Sequence, residues 1–480
     1  MGQNQADVVV VGSGATGLAA ALTAAEGGAK VILFEKQKST GGTSNFFEGT
    51  FAVESELQRP KYITYSRDEA FHAIMDFSHW RANPRLVRNI VNESSETISW
   101  LIKEGVEFVE ATINMIDSPM TYHHVKGYGA ALVKVLTMRA KEQGIDIRVG
   151  TPVTGLLKDG NNVCGVIYEE NDEEIEVEAK AVVIGTGGFA NNKEWIKKYT
   201  GFDLDVNVVA VGSTDKMGDG IRIAMEIGAA TDNMGLLELY AAGPGGPGFD
   251  MKNALELACA QPDLWVDPKG ERFCDETIAF HDSPLGNANA KHKEGYTWRL
   301  FDDSIKQILI EKGVDKNVGM ENPPGTRLVN LEKEIAAAEG REQTEFFSAD
   351  SVEELAVKIG VDPEVLQATV DEYNRYCAKG HDDLFAKEQK YLRPLIGPRF
   401  YAGRCRTVFL GTQGGLKINY NTEVLDKKEK VIGGLYAGGF DASGMYGDSY
   451  CIASSSGLAS SFALNSGRIA GKNALKYIGK

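Results

Sequence analysis

Only six cysteines occur in the 480 residues (Cys164, Cys259, Cys274, Cys377, Cys405, Cys451), and no two stand as C-x-x-C. That scatter excludes a disulfide framework, a thiolate-held cluster and a haem-attachment site; it reads as buried thiols kept reduced in the cytoplasm. Positive charge is also scarce, with 51 Lys and Arg against 67 Asp and Glu, a net charge of −16. Nucleic acid or an anionic membrane surface needs a basic face, so neither is an expected partner. No apolar run reaches the length of a membrane span. The N-terminus runs directly into a core strand, which leaves no expected room for a signal peptide. With no metal, cluster or haem site legible, electrons have to come from an external donor: a reduced nicotinamide, a free flavin or a redox protein.

Glycine, by contrast, is abundant and placed. The run Asp7-Val-Val-Val-Val-Gly-Ser-Gly-Ala-Thr-Gly17 joins an apolar strand to an Ala-rich helical stretch, and Val31-Ile-Leu-Phe-Glu35-Lys36 follows. A continuous apolar run is the mark of a parallel strand buried on both faces. Gly12, Gly14 and Gly17 have the G-x-G-x-x-G spacing, one glycine each for a tight turn, backbone approach to a pyrophosphate, and close helix–sheet packing. The helix N-terminus presents its positive end to the diphosphate, and an acid about twenty residues on, here Glu35, accepts from a ribose hydroxyl. The chain is therefore expected to bind a dinucleotide.

The length calls for two domains. A loop, Ser39 to Thr50, follows the opening βαβ unit. Then come a helical region over 67–104, a helix over 130–144, short strands at 145–150, 163–169 and 175–178, and a further buried strand opening the stretch 181–190. From about 236 to 405 prolines, charged helices and irregular stretches replace the strand–glycine–helix rhythm. The last seventy residues return to it. This predicts a discontinuous domain, 1–235 and 406–480, interrupted by a second domain at 236–405, with a cleft between the two.

On these residues the chain resembles the flavoprotein family of fumarate reductase, succinate dehydrogenase flavoprotein subunits, urocanate reductase and 3-ketosteroid dehydrogenases. The likeness runs through Gly12–Gly17, Glu35, Gly41-Gly42, Gly185-Thr-Gly-Gly-Phe189, Gly218-Asp-Gly220, Gly270-Glu-Arg-Phe273, Gly414-Gly415, Gly434-Leu-Tyr-Ala-Gly-Gly439 and Gly467-Arg-Ile-Ala-Gly471. The resemblance implies an α/β fold: a Rossmann-type, discontinuous FAD-binding domain carrying an inserted α+β capping domain. It implies FAD, with Gly12, Ser13, Gly14, Thr16 and Gly17 at the diphosphate and Glu35 with Lys36 at the adenosine ribose. Gly42, Thr43, Ser44, Gly187, Gly188, Asp219, Gly439, Asp441, Ser454, Ser456 and Leu458 are the further cofactor contacts it implies. Respiratory members carry a covalently linking histidine in the loop after the second strand; residues 36–50 contain none, so the flavin is expected to be non-covalent.

The resemblance also shows where this chain departs. Fumarate reductases grip a dicarboxylate with arginines through bidentate, charge-assisted bonds, and their proton donor is an arginine eight residues after the G-x-R-F arginine. That place is Phe280 here; the family histidine is Leu410, and a second substrate arginine is Tyr450. The expected substrate is thus a small molecule that is bulky and weakly charged, aromatic or polycyclic: a steroid, a cinnamate or an isoflavonoid such as tetrahydrodaidzein. Reduction of C=C, or reductive elimination, is the expected chemistry, with ketosteroid-type desaturation, fumarate reduction and a non-catalytic flavin carrier as alternatives. Tyr450 and the amide of Ser454 are expected to polarise a substrate oxygen. His281, His123, His124 and Tyr240 are the remaining candidates for acid–base work, histidine because it titrates near neutrality.

Overall fold

A computed structural model describes residues 4–171, 173–212, 214–244 and 253–480. Its contacts divide the chain into two compact units, one of residues 1–201, 213–238 and 411–480, the other of residues 202–212 and 239–410.

The first unit is built on five parallel strands. Val31–Glu35 (β2) pairs with Gln5–Val11 (β1) on one side and with Asp146–Val149 (β3) on the other. The inner half of Glu173–Ile184 (β4) lies on the far side of β1, followed by Val431–Ala437 (β5). Val8–Val11, Ile32–Phe34 and Ala181–Ile184 are almost wholly buried, as a sheet covered on both faces requires.

The two short strands expected at 175–178 and 181–184 are one. The outer half of β4 is the antiparallel partner of Asn162–Glu170, and its inner half enters the parallel sheet. A single strand can serve both ladders because each uses a different length of it.

The helical region 67–104 is two helices, Arg67–Phe77 (α2) and Pro84–Lys103 (α3). His79 and Trp80 have positive φ, and Asn83 ahead of Pro84 caps the second helix. The helix expected at 130–144 spans Tyr128–Glu142 (α4), entered through Gly127 at φ +76°.

The C-terminal segment returns to the start of the chain. Leu458–Tyr477 (α5) packs along Ala15–Glu26 (α1). A Cβ on Gly467 would strike the Thr16 carbonyl oxygen, and one on Gly471 would stand 2.8 Å from the Ala20 oxygen. The Gly467-Arg-Ile-Ala-Gly471 motif therefore exists to let two helix backbones touch.

The second unit has its own sheet, in which Phe400–Thr412 pairs antiparallel with Tyr296–Asp302 and with Phe346–Ala349. Its core is aliphatic and aromatic, including Leu300, Phe301, Leu309, Phe346, Leu366 and Tyr373. The Gly-x-Arg-Phe arginine is a structural residue here. Arg272 is buried, with Nε and Nη2 each 2.7 Å from the Glu276 carboxylate and Nη2 2.7 Å from Asp382. Lys387 joins at 3.2 Å from Glu276.

Candidate flavin and substrate site

The turn between β1 and α1 leaves no room for a side chain at two of its three glycines. At Gly12, with φ +99°, a Cβ would collide with the Gly185 carbonyl; at Gly17 it would collide with the Gly12 oxygen. Gly14 forms the N-cap of α1 and, as glycine, offers no side-chain cap of its own; Ser44 Oγ takes the first amide, that of Ala15. Its opening turn thus keeps N–H groups directed at an incoming anion.

The loop after β2 is tied to this turn. Gly41 N donates to the Ser13 carbonyl (3.1 Å), and Ser44 Oγ accepts from Ala15 N (2.8 Å). Gly42, at φ +49°, faces open space, and Thr43 Oγ1 lies 3.4 Å from Thr214 Oγ1.

The Glu35 carboxylate, expected at a ribose, accepts from Ser13 N (3.0 Å) and Ser13 Oγ (2.6 Å) through one oxygen and from Gln37 N (2.8 Å) through the other. It retains acceptor capacity on the second oxygen. Lys36 is engaged by Asp219 at 2.7 Å and Asp215 at 3.1 Å. Burial alone would lower its pKa, but these partners raise it. Thr16 is buried, its side chain wedged where a Cβ on Gly185 would stand 3.2 Å away.

Asp441 holds the second glycine turn. One carboxylate oxygen accepts from the Thr186 and Gly187 amides, the other from Thr186 Oγ1 (2.9 Å) and Gly188 N (3.1 Å). Burial raises its pKa and these four donors oppose the rise. With two bonds on each oxygen the carboxylate is filled. It fixes Gly187 and Gly188 in place. Gly439 N donates to Ser466 Oγ (3.0 Å), Ser456 Oγ donates to the Ile452 carbonyl (2.9 Å), and Leu458 is the buried first residue of α5.

The candidate acid–base residues fall in both units. In the first, Tyr450 is buried edge-on to Tyr446, ring centroids 5.4 Å apart, and its oxygen accepts from Ala459 N (3.3 Å) in the first turn of α5. Burial, then the charge of Glu238, push the Tyr450 phenol well above its usual pKa, so it stays neutral. Ser454, four residues on, bonds Cys451 Sγ (2.9 Å).

His123 is buried in the short strand Tyr122–Val125. Its Nδ1 donates to the Thr121 carbonyl (3.0 Å), so Nε2 accepts from Ser55 Oγ (2.6 Å). Both ring nitrogens are spent inside the protein, and burial pushes its pKa down to about 4. His123 therefore braces its strand and has no ring nitrogen left for substrate. His124 is half-buried and stacks on Tyr128; burial lowers its pKa as well.

In the second unit, Tyr240 is buried with Lys316 Nζ 5.6 Å from its ring centroid, and Lys316 binds Asp282 at 3.2 Å. His281 opens the helix Asp282–Ala290 beside that pair, and Phe280 packs on Tyr391. Two further residues of the first unit, Lys216 and Glu238, are buried without any motif in the sequence to mark them. An isolated lysine in a loop carries no motif, and its burial comes only from the folding of distant segments around it.

A turn in which Gly12 and Gly17 admit no Cβ, a helix start capped by no side chain of its own N-cap residue and a second fixed glycine turn fit a dinucleotide. The sequence model of the FAD binding domain family matches residues 7–456, and the chain belongs to that family. It is an FAD-dependent oxidoreductase of the fumarate reductase group, whose chemistry is reduction of C=C bonds. The vinyl phenol reductase of Lactiplantibacillus plantarum is 34% identical over 481 residues, which span 98% of this chain and 96% of that protein. The cytochrome-type fumarate reductase of Shewanella frigidimarina is 29% identical over 486 residues, 98% of this chain and 77% of that one. The 3-ketosteroid Δ1-dehydrogenase of Sterolibacterium denitrificans shares the fold, with a TM-score of 0.80 at 20% identity over 99% of this chain and 100% of its own. Among the described residues no helix is long and apolar enough to cross a membrane.

Proposed function

We propose that this enzyme reduces an activated C=C bond in a bulky, weakly charged aromatic or polycyclic substrate. The observation that carries the reading is Tyr450. It is a buried neutral phenol with its oxygen on the first turn of α5, at a position where the resemblance puts a substrate-binding arginine in dicarboxylate reductases. Where the resemblance puts the other charged groups of dicarboxylate reductases the sequence has Phe280 and Leu410, and the similarity to a vinyl phenol reductase over nearly the full length points the same way.

FAD bound non-covalently would be held by the turns at Gly12–Gly17 and Gly187–Gly188 and by Thr43 and Ser44, and it would supply the hydride. The protein's part is to orient the substrate and stabilise charge. Tyr450 donates to a carbonyl or phenol oxygen and strengthens that bond as negative charge gathers on it. The donor of electrons is external, a reduced nicotinamide, a free flavin or a redox protein, and the six free thiols suit a cytoplasmic setting.

The test is anaerobic. The flavoprotein is photoreduced and its reoxidation followed with fumarate, urocanate, a vinyl phenol, a cinnamate, an enone steroid and an isoflavonoid. Fast reoxidation by a bulky aromatic or polycyclic acceptor is expected; a preference for fumarate would refute the reading.

A further inference from the structure

The segment that leads to Tyr450 is bolted down just before that residue. Asn83 N donates to the Gly444 carbonyl (2.7 Å), and a Cβ on Gly447 would stand 2.6 Å from Ala82 N. Residues 444–447 are therefore pressed onto the connection between α2 and α3, with Gly444 at φ +96° and Gly447 at φ +61°. Between these glycines Tyr446 is 1% exposed. Its ring stands edge-on to Tyr450, centroids 5.4 Å apart, and edge-on to Phe462 of α5 at 5.8 Å.

The hydroxyl of Tyr446 sets it apart from this packing. It is buried, and among the described residues it has no hydrogen-bond partner. Buried polar groups are nearly always paired, and one left unpaired destabilises the fold. A phenylalanine would fill the same space against Tyr450 and Phe462 without that cost. Tyr450 differs, because its oxygen already accepts from Ala459 N. The charge of buried Glu238 bears on both phenols, so the two rings share one polar neighbourhood as well as an edge contact.

We propose that the Tyr446 hydroxyl is a second substrate contact, bonding the same carbonyl or phenol oxygen as Tyr450 and selecting substrates that carry that oxygen. The proposal rests on the reductase reading above, in which Tyr450 meets the substrate oxygen. A phenol both donates and accepts. Tyr446 can thus accept from the hydroxyl of a phenolic substrate or donate to a carbonyl, and its donated bond strengthens as negative charge gathers on that oxygen. A substrate without the oxygen leaves the hydroxyl buried and unpaired, the situation in which a hydrogen-bonding site discriminates most steeply.

The experiment compares FAD-loaded wild type with Tyr446→Phe. Without substrate, loss of an unpaired buried hydroxyl should raise the melting temperature by about 2–5 °C. Binding is then followed through the flavin spectrum with two pairs of probes, 4-ethylphenol against ethylbenzene and 5α-androstan-3-one against 5α-androstane. Wild type should favour the oxygenated member of at least one pair. Tyr446→Phe should bind that member about 5–10-fold more weakly and its oxygen-free counterpart unchanged. Reoxidation by the acceptor that wild type uses fastest should slow by at least about 10-fold in the variant.

A melting temperature that stays level or falls shows the hydroxyl already partnered by protein or cofactor and overturns the proposal. Equal weakening of both members of a pair marks a packing role and overturns it too, as does no weakening of either; in all three cases the reductase reading stands. Failure of wild type to bind any oxygenated probe, together with no reoxidation by an aromatic or polycyclic acceptor, overturns both.

Discussion

Replacing Asp441 by Asn changes one atom of the side chain and should be costly. Two donors meet each oxygen of the native carboxylate. An amide must turn its NH2 toward one pair. Toward the Thr186 and Gly187 amides it would orphan two buried N–H groups. Toward the other pair, the Thr186 hydroxyl can rotate to accept and only Gly188 N is left without a partner. That orientation should prevail. It carries about 1–3 kcal/mol for the orphaned donor and loses charge assistance on the bonds that remain, partly offset by relief from burying a charge. A net loss of roughly 2–4 kcal/mol follows, or about 3–6 °C in the melting temperature of that unit. Calorimetry with and without added FAD measures it, and FAD affinity should fall as well because Gly187 and Gly188 lose their anchor. A melting temperature within about 1 °C of wild type, with FAD affinity unchanged, would refute the assignment of Asp441 as the latch of this turn.

Gly471→Ala should destabilise the protein by about 1–3 kcal/mol through overpacking of α5 on α1, although alanine is the better helix former by about 1 kcal/mol; chemical denaturation decides the sign. Tyr450→Phe should lower acceptor-driven flavin reoxidation by about 10²-fold while FAD stays bound, and unchanged turnover would remove the phenol from the reaction. Acid stability should fall in two windows. His123 is held neutral with a folded pKa of about 4, so the unfolded chain takes up its proton first and stability drops as pH falls from about 6.5 to 4. His123→Gln should flatten that window. Asp382, which burial would raise but Arg272 holds down at about 2, contributes stability above about pH 4 that is lost between about 4 and 2. Asp382→Asn should remove that second window while lowering stability at neutral pH, both read from melting temperature against pH.

The nucleotide-binding half was legible because its signals are local. Gly12, Gly14 and Gly17 sit within six residues, next to an apolar run that only a doubly covered strand requires. The merging of 175–178 with 181–184 was not legible, since the join depends on two different partners far along the chain. Nor was the second compact unit's use of residues 202–212, which no compositional change marks. Among the site candidates, Tyr450 and Asp441 stand beside recognisable glycine motifs. The saturation of both ring nitrogens of His123 depends on Ser55, brought to it by a sheet whose pairing is not encoded nearby. The burial of Lys216 was illegible for the same reason.

The pairing of β4 with β5 has a temporal side. Roughly 250 residues separate the end of one strand from the start of the other, and α5 lies further on still. At about 5–20 residues per second of synthesis, the inner edge of β4 and the apolar face of α1 wait roughly 10–50 s for the segments that cover them. During that interval the nascent chain presents an unpaired, Val-rich parallel edge, the kind of surface on which chains associate wrongly. Yield in the cell should therefore depend on chaperone supply during translation more than on the final stability of the folded enzyme.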